Sequence, residues 1–237
     1  MEKTNIQCGS FNERGFINSL KRKGFNFNRS ISELIQNSID SGATFVKFIK
    51  NGDEEFILMD NGEGMTKLNL VNMWDAYREN HTDDESGGVS GLGCKPSTFI
   101  LSEQTDIIVL TKFNVYEQYN EEYYKATVPW TKIVTENKYS EQVVIEEMNE
   151  EEIEKYKLYL NNNSGTMIIF KYNHHFYDCL KSQFYESKNI DDITQRIDWI
   201  FAKFPAQISF IDDNDKETIA EKYDYFSAHE NEFYIKN

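Results

Sequence analysis

The sequence predicts an α+β fold, a sandwich in which helices pack against a sheet. Segments with the apolar spacing of helices and of strands are intermixed along the 237 residues. Residues Asn51-Gly-Asp53 form a tight turn between two strand-like segments, which indicates antiparallel pairing. Apolar residues make up 39% of the chain, enough to bury a substantial core. We therefore expect one large domain or one and a half.

Helices are predicted where apolar residues recur every three or four positions. The clearest is 29–41, for which Ser30 is the predicted start and Gly42 the C′ residue. The other predicted helices are 11–23, 66–77, 95–102, 149–160 and 191–203.

Strands are predicted where β-branched and aromatic residues cluster between turn residues. They are 44–50, 55–59, 105–113, 122–134 and 165–170, followed by a hairpin within 207–223. Residues 78–93 are charged and rich in glycine, without periodicity, and are predicted to form a loop.

The charge of the chain excludes some partners. It carries 40 acidic and 25 basic residues, a formal charge of −15, so a broad nucleic-acid-binding face is not expected. The one basic cluster, Lys21-Arg22-Lys23, is predicted to be a solvated helix end or a dimer contact. Apolar runs are too short to cross a membrane, and no signal peptide is recognisable. The three cysteines form no metal-ligand pattern, so we expect an intracellular protein, cytoplasmic or nuclear.

The first candidate site lies on the predicted helix 29–41. At about 100° per residue, Glu33, Asn37 and Asp40 share one face, and apolar residues occupy the other. Glu33 could polarise a water molecule, and the Asn37 side-chain oxygen could ligate a hard cation such as Mg²⁺. A capping box from Ser30 to Glu33 explains Glu33 equally well.

The second candidate site is the motif Asp60-Asn-Gly-Glu-Gly-Met65, directly after a hydrophobic strand. Asp60 at the strand end could accept a hydrogen bond from an exocyclic amine. Gly62 and Gly64 would allow positive φ angles and the close approach of a ligand. In isolation the same residues are also typical of an ordinary turn.

The third candidate site is the segment Gly87-Gly-Val-Ser-Gly-Leu-Gly-Cys-Lys-Pro-Ser97. A glycine-rich loop that leads into a helix directs backbone amides at an anion, and Lys95 adds a positive charge there. The segment is neither a Walker loop nor a GxGxxG motif. The order and spacing of the three sites make a chance occurrence improbable.

Taken together, these motifs resemble a known family. ELIQNSIDSGA (33–43), DNGEGM (60–65) and GVSGLGCK (88–95) resemble the N, G1 and G2 boxes of the GHKL ATPases, which include gyrase-type topoisomerases, heat-shock chaperones, histidine kinases and MutL-like proteins. The strand SGTMIIF (164–170) resembles a later motif of the family. Within the superfamily the chain looks most like the MORC-type ATPases, which DIIVLTK (106–112) also suits.

The resemblance implies a Bergerat-type ATP-binding fold, a two-layer α/β sandwich with a mixed, mostly antiparallel sheet backed by helices. Glu33 would be the general base and Asn37 the Mg²⁺ ligand. Asp60 would accept from the adenine amino group, with support from Thr166, and Asp40 would line the pocket or support it structurally. The remaining nucleotide contacts implied are Gly62, Gly64, Met65, Gly88, Val89, Ser90, Gly91, Leu92, Gly93, Cys94 and Lys95.

The resemblance also implies a division of the chain and a mode of action. Residues 1–180 would form the GHKL ATPase domain, and residues 181–237 would contribute an amphipathic helix and hairpin that could begin a transducer-like domain. ATP and Mg²⁺ are the expected ligands, and ATP is expected to drive lid closure and homodimerisation. Contact with DNA or chromatin would come from other regions.

Two other functions stay open at this stage. A complete transducer domain, the usual source of a lysine on the γ-phosphate, is not expected in this chain, which favours an ATP-gated binding module with little hydrolysis. A degenerate interaction domain that binds no nucleotide is disfavoured by the intact motifs.

Zinc binding at His174-His175 is not expected, since no further ligands lie at suitable spacing. A complete histidine kinase is not expected either, since no histidine precedes the first motif. Lys95 could lower the pKa of Cys94, although a small residue in a tight turn is the favoured interpretation.

Overall fold

A computed structural model describes residues 12–22, 24–75, 93–113, 122–186, 190 and 196–222. The strands within these residues are β1 (Phe45–Asn51), β2 (Glu55–Asp60), β3 (Ile107–Lys112), β4 (Tyr123–Val128), β5 (Val144–Glu147), β6 (Gly165–Lys171), β7 (Gln207–Ile211) and β8 (Glu217–Ile219). They form one sheet in the order β5-β4-β3-β6-β2-β1-β7-β8. β1 and β7 are parallel, and the other neighbouring strands are antiparallel. The predicted α+β fold with a mixed, mostly antiparallel sheet is therefore confirmed.

The helices of the described residues connect these strands. They are α1 (Glu13–Arg22), α2 (Phe27–Asp40), α3 (Lys67–Trp74), α4 (Cys94–Leu101), α5 (Trp130–Glu136), α6 (Glu150–Leu160), α7 (His174–Tyr185) and α8 (Ile197–Ile200). None of them is long and apolar enough to cross a membrane.

The ends of α2 are set by side-chain and backbone caps. Asn26 accepts from the backbone N–H of Arg29 at 2.8 Å and begins the helix. Ser30 therefore lies inside the helix, and the predicted capping box between Ser30 and Glu33 is wrong. Gly42, at φ +78°, ends the helix as predicted, with its N–H bonded to the Ile39 carbonyl.

Several predicted elements differ from the structure. The strand predicted over 122–134 ends at Val128, because Pro129 stops it and α5 follows. The sequence prediction missed β5 and α7, and α7 begins where Asn173 caps the N–H of Phe176 at 2.7 Å. Of the helix predicted over 191–203, the described part is helical only over 197–200.

Two hydrophobic clusters hold the layers together. The larger cluster lies between one face of the sheet and helices α1–α5, α7 and α8. The smaller one lies on the opposite face, where Tyr156 and Leu160 of α6 pack on Ile57, Met167 and Ile169 of the central strands. These clusters fix α2 and α4 on one side of the sheet and α6 on the other.

The C-terminal part of the described chain continues the same sheet. The boundary predicted at residue 180 falls within α7, and β7 pairs with β1 from Phe45↔Gln207 to Ile49↔Ile211. The assignment of residues 181–237 to the start of a second domain stays a prediction.

Candidate functional site

Helix α2 presents the polar side chains predicted for the first part of the site. Ile31, Leu34 and Ile35 are buried and hold the other side of the helix against the core. Glu33 and Asn37 are half-buried, and neither side chain has a hydrogen bond or ion pair with another described residue. Both side chains are therefore available to a ligand.

Gly93, immediately before α4, lies against Glu33. A Cβ atom on Gly93 would lie 1.7 Å from Oε1 of Glu33 and 2.3 Å from its carboxyl carbon, so a side chain there would displace the Glu33 side chain. The predicted first and third sites are thus in direct contact at this point. The contact with Glu33 also explains why position 93, at the end of the glycine-rich segment, is a glycine.

Cys94 and Lys95 follow in the first turn of α4, and both are buried. Burial raises the pKa of the Cys94 thiol to about 12; the nearby Glu33 carboxylate raises it further, and Lys95 opposes the shift. Lys95 does act to lower this pKa, but burial outweighs it, so the net pKa is raised and Cys94 acts as a small buried residue. The charges of Glu33 and Lys95 therefore both act on the Cys94 thiol.

Asp60, at the end of β2, is buried, and both of its carboxylate oxygens accept hydrogen bonds. Its Oδ2 accepts from the Ser38 hydroxyl at 2.9 Å, and its Oδ1 accepts from the Gly62 N–H at 2.9 Å. Burial raises the pKa of the Asp60 carboxyl, while hydrogen bonds from Gly62, Ser38 and Thr166 oppose the rise. Asp60 therefore lies at the end of the strand as the sequence places it, and its role as an acceptor for a ligand amine stays a prediction.

The sequence prediction missed Ser38. It follows Leu34 by four residues and so falls on the buried side of α2, where its hydroxyl contacts the Leu34 carbonyl at 3.2 Å as well as Asp60. A serine within an otherwise apolar stripe was the available signal, since a buried hydroxyl needs a partner.

The loop after β2 is packed tightly against its surroundings. A Cβ atom on Gly62 would lie 2.2 Å from Ser41 Oγ, and one on Gly64 would lie 1.9 Å from the Lys112 carbonyl oxygen. Gly64 has φ +70°, as predicted, but the structure gives no positive φ for Gly62. The described contacts that require these glycines are with protein backbone and Ser41.

A threonine pair joins this loop to the neighbouring strands. Thr111 of β3 accepts from the Met65 N–H at 2.9 Å and donates to the Gly165 carbonyl at 3.0 Å. Its hydroxyl lies 3.4 Å from that of Thr166, which pairs with Asp60 in the β2–β6 register. Asp60, Met65 and Thr166 are thus brought together as predicted, and Thr111 is a further member that the sequence prediction missed.

Helix α2 connects the two halves of the arrangement. Ser38 contacts Asp60 at one point of the helix, and Glu33 contacts Gly93 five positions earlier, about 7.5 Å along the axis. The buried acceptor Asp60 and the loop end at Gly93 therefore contact the same helix, at Ser38 and at Glu33, and Asn37 lies next to Ser38 in the sequence. This spacing suits a ligand with a polar base at one end and an anionic chain at the other.

The structure says less about the other predicted site residues, Asp40 and residues 88–92. Asp40 is exposed and accepts from Gln36 Nε2 at 2.6 Å, so it is engaged at the end of α2. Gly88, Val89, Ser90, Gly91 and Leu92 lie outside the described residues.

Other metal sites find no support in the described residues. No group of three or more histidine, cysteine, aspartate or glutamate side chains there could hold a metal ion. His174 contacts the Tyr172 hydroxyl, and His175 pairs with Glu103, so the two histidines point to separate partners. A single amide such as Asn37 still suits Mg²⁺, which keeps several waters and takes the rest of its ligands from phosphates.

Comparison with known proteins assigns the fold and these motifs to one family. The family model described as histidine kinase-, DNA gyrase B- and HSP90-like ATPase matches residues 25–166, more than half of the chain. The match includes α2, the loop after β2 and Thr166, and it supports ATP binding and ATPase activity at the level of the family. No curated protein matched the chain.

Proposed function

Since the chain belongs to the histidine kinase-, DNA gyrase B- and HSP90-like ATPase family, we propose that it binds ATP with Mg²⁺ and hydrolyses it to ADP and phosphate. The observation that carries this proposal is the placement of Asp60 and Gly93 along α2. The helix contacts the buried acceptor through Ser38 and the end of the glycine-rich loop through Glu33.

Asp60 recognises the base in this proposal. Its carboxylate accepts from Ser38, Gly62 and the Thr166 backbone, which leaves one of its roughly four lone pairs for an exocyclic amine. Thr166 lies beside Asp60 on the next strand and supports the base, while Gly62, Gly64 and Met65 shape the pocket around it. Guanine carries a carbonyl oxygen where adenine carries its exocyclic amine, and this oxygen would face the Asp60 carboxylate. Adenine is therefore favoured over guanine.

Glu33 is the proposed general base. It orients the attacking water and takes its proton, and the adjacent Gly93 leaves room for the terminal phosphate to approach. The positive charge of Lys95 stabilises the charge that develops on the phosphoryl oxygens. The backbone amides of the segment 88–95 bind the phosphate chain.

Asn37 is the proposed ligand of Mg²⁺. It lies one turn after Glu33 on the same face of α2, and its side chain has no described partner. When bound, the ion neutralises phosphate charge and helps hold the phosphates in line for attack. Asp40, one further turn along, supports this end of the helix through Gln36.

ATP binding closes a lid and drives homodimerisation in this proposal, as in the MORC-type branch. The segments DIIVLTK and GTMIIF, which suit that branch, form β3 and β6, and these strands pair side by side. Any action on DNA or chromatin would come from other regions, because the chain is strongly acidic.

A second function is an ATP-gated dimerisation module with little hydrolysis. One observation favours it: no described side chain hydrogen-bonds the Glu33 carboxylate, and an effective general base is usually held in place by a third group. Both functions use the same nucleotide site, and turnover separates them.

Thermal unfolding with Mg²⁺ and a non-hydrolysable ATP analogue tests the site. At 100 times Kd, ligand binding stabilises by about 2.7 kcal/mol, roughly 5–11 °C for a domain of this size. The shift is expected to need Mg²⁺, to disappear in Asp60→Asn and to persist in Glu54→Asn, a change at an exposed turn residue. If the wild-type protein shows no shift at millimolar analogue, the proposed function is wrong.

A further inference from the structure

The carbonyl oxygen of Gly165 receives side-chain hydroxyl groups from two directions. Thr111 of β3 donates to it at 3.0 Å, and the Tyr156 hydroxyl of α6 lies 3.2 Å from it, sharing its one hydrogen between this carbonyl and that of Asn163. A carbonyl oxygen has two lone pairs and can accommodate both donors. We refer to Thr111, Tyr156 and the Gly165 carbonyl as the carbonyl clamp.

Gly165 lies directly against the proposed base-binding residue. A Cβ atom on Gly165 would lie 2.1 Å from the Asp60 carbonyl oxygen and 3.2 Å from the Asn61 Cα atom. The next residue, Thr166, pairs with Asp60 across the β2–β6 ladder. A shift of the Gly165 peptide would therefore move both residues that face the base.

Tyr156 reaches the clamp from the helix on the opposite face of the sheet. Its side chain is fully buried, packs edge to face on Tyr123 at 5.8 Å, and also contacts the Asn163 carbonyl at 3.0 Å. Burial raises the pKa of the Tyr156 hydroxyl, and the negative charge of Asp60 raises it further. The hydroxyl therefore stays protonated and remains a donor near neutral pH.

Thr111 connects the clamp to the loop that would surround the base. Its hydroxyl donates to Gly165 and at the same time accepts from the Met65 N–H at 2.9 Å. Removing this one hydroxyl would remove both the hydrogen bond to the loop at Met65 and the hydrogen bond to the start of β6 at Gly165. The Thr111 side chain is fully buried, so water cannot replace either contact without a rearrangement.

We propose that Tyr156 and Thr111 are positioning residues for the base-binding half of the nucleotide site, and that they act by fixing the Gly165 peptide from opposite sides. Helix α6 is then part of the nucleotide site although it packs on the far face of the sheet. This inference rests on the proposed function, because it assumes that a base binds at Asp60 and Thr166.

The test compares two hydroxyl deletions with matched controls. Tyr156→Phe removes only the donor, and Tyr159→Phe makes the same change on the same helix at a residue with no described side-chain hydrogen bond. Thr111→Val removes the second donor, and Thr111→Ser keeps it. Affinities for ADP and for inosine diphosphate, which lacks the exocyclic amine, are measured by calorimetry.

Tyr156→Phe and Thr111→Val are each expected to weaken ADP binding about three- to tenfold, the loss typical of one hydrogen bond. Inosine diphosphate binding should change much less, so the preference for ADP should fall. Tyr159→Phe and Thr111→Ser should bind both ligands as the wild type does. A purely structural role would lower both affinities together.

The possible failures are distinguishable. If wild-type protein does not bind ADP, the proposed function fails and the inference fails with it. If wild-type protein prefers ADP but Tyr156→Phe behaves as Tyr159→Phe and Thr111→Val behaves as Thr111→Ser, the carbonyl clamp is refuted and the proposed function stands. Should Tyr156→Phe not fold, the two Thr111 variants alone decide the question.

Discussion

Replacing Ser38 by alanine removes one hydrogen-bond donor from the buried carboxylate of Asp60. The Ser38 hydroxyl lies 2.9 Å from Asp60 Oδ2, and Asp60 is 6% exposed, so water does not easily take its place. A hydrogen bond to a charged group contributes roughly 1.5–3 kcal/mol. We expect a loss of this size in the free energy of unfolding near neutral pH, or about 3–12 °C in Tm.

The loss should depend on pH, with a sign that follows from the Asp60 pKa. Burial already raises this pKa above its usual value, and the Ser38 bond opposes that rise. Removing the bond raises the pKa further, because the ionised form loses a donor. The destabilisation should therefore be complete where Asp60 is ionised in both proteins and should shrink as the pH falls through the raised pKa.

Thermal unfolding of Ser38→Ala and the wild type, followed across a pH series, measures this effect. Ser102→Ala is a matched control, since Ser102 is also buried and the described hydrogen bond of its hydroxyl is to a neutral group, the Phe99 carbonyl, at 3.3 Å. Its effect on Tm should be independent of pH over the same range. A Ser38→Ala loss that does not shrink at lower pH would refute the argument that Ser38 stabilises the ionised carboxylate.

Three further predictions follow from local geometry. Gly93→Ala should lower kcat by at least tenfold in an ATPase assay, because the new methyl group would lie 1.7 Å from the Glu33 oxygen and displace the base; unchanged turnover would contradict this. Gly64→Ala should unfold at a clearly lower temperature than Gly52→Ala, since both have positive φ but only Gly64 meets backbone within 4 Å; equal Tm values would contradict it. Cys94 should resist alkylation at pH 8 in the native protein, because its pKa is raised to about 12 and it is buried, and peptide mass spectrometry would detect labelling if this is wrong.

Much of the fold could be predicted because local signals and burial agree. The segments that became β1, β2, β6, α2 and α6 have strong periodicity or clear turn residues at their ends, and each was predicted within a few residues. The β4 strand was predicted too long because the apolar pattern continues through Trp130 and Ile133, which are buried from a helix instead. Pro129 was the signal that separates the two elements.

The elements missed by the prediction depend on long-range contacts. In β5, an exposed edge strand, only Ile145 of four residues packs against the core, so little apolar periodicity is present. Helix α7 is started by the Asn173 cap and held by Phe176 and Leu180. Its mixture of aromatic and polar residues has no clear helical signal until the core that receives Phe176 is known.

The candidate site could be predicted to the extent that it consists of local motifs. Glu33, Asp60 and Gly93 each belong to a recognisable run of residues, and the structure brings the first and last into contact. Ser38 bonds to a residue 22 positions away, and Thr111 bonds to residues 46 and 54 positions away. No local sequence pattern predicts such pairs.

The central claim is that Glu33 is the base of an ATP-hydrolysing site, and phosphate release by Glu33→Gln tests it most directly. Glu63→Gln, at an exposed glutamate in the loop after β2, is the matched control. We expect the wild type and Glu63→Gln to release phosphate from Mg²⁺-ATP. Glu33→Gln should bind the nucleotide with similar affinity but lose turnover by 100-fold or more, because losing a general base typically costs about 10²–10⁴-fold. Wild-type turnover that survives in Glu33→Gln would contradict the assignment of the base.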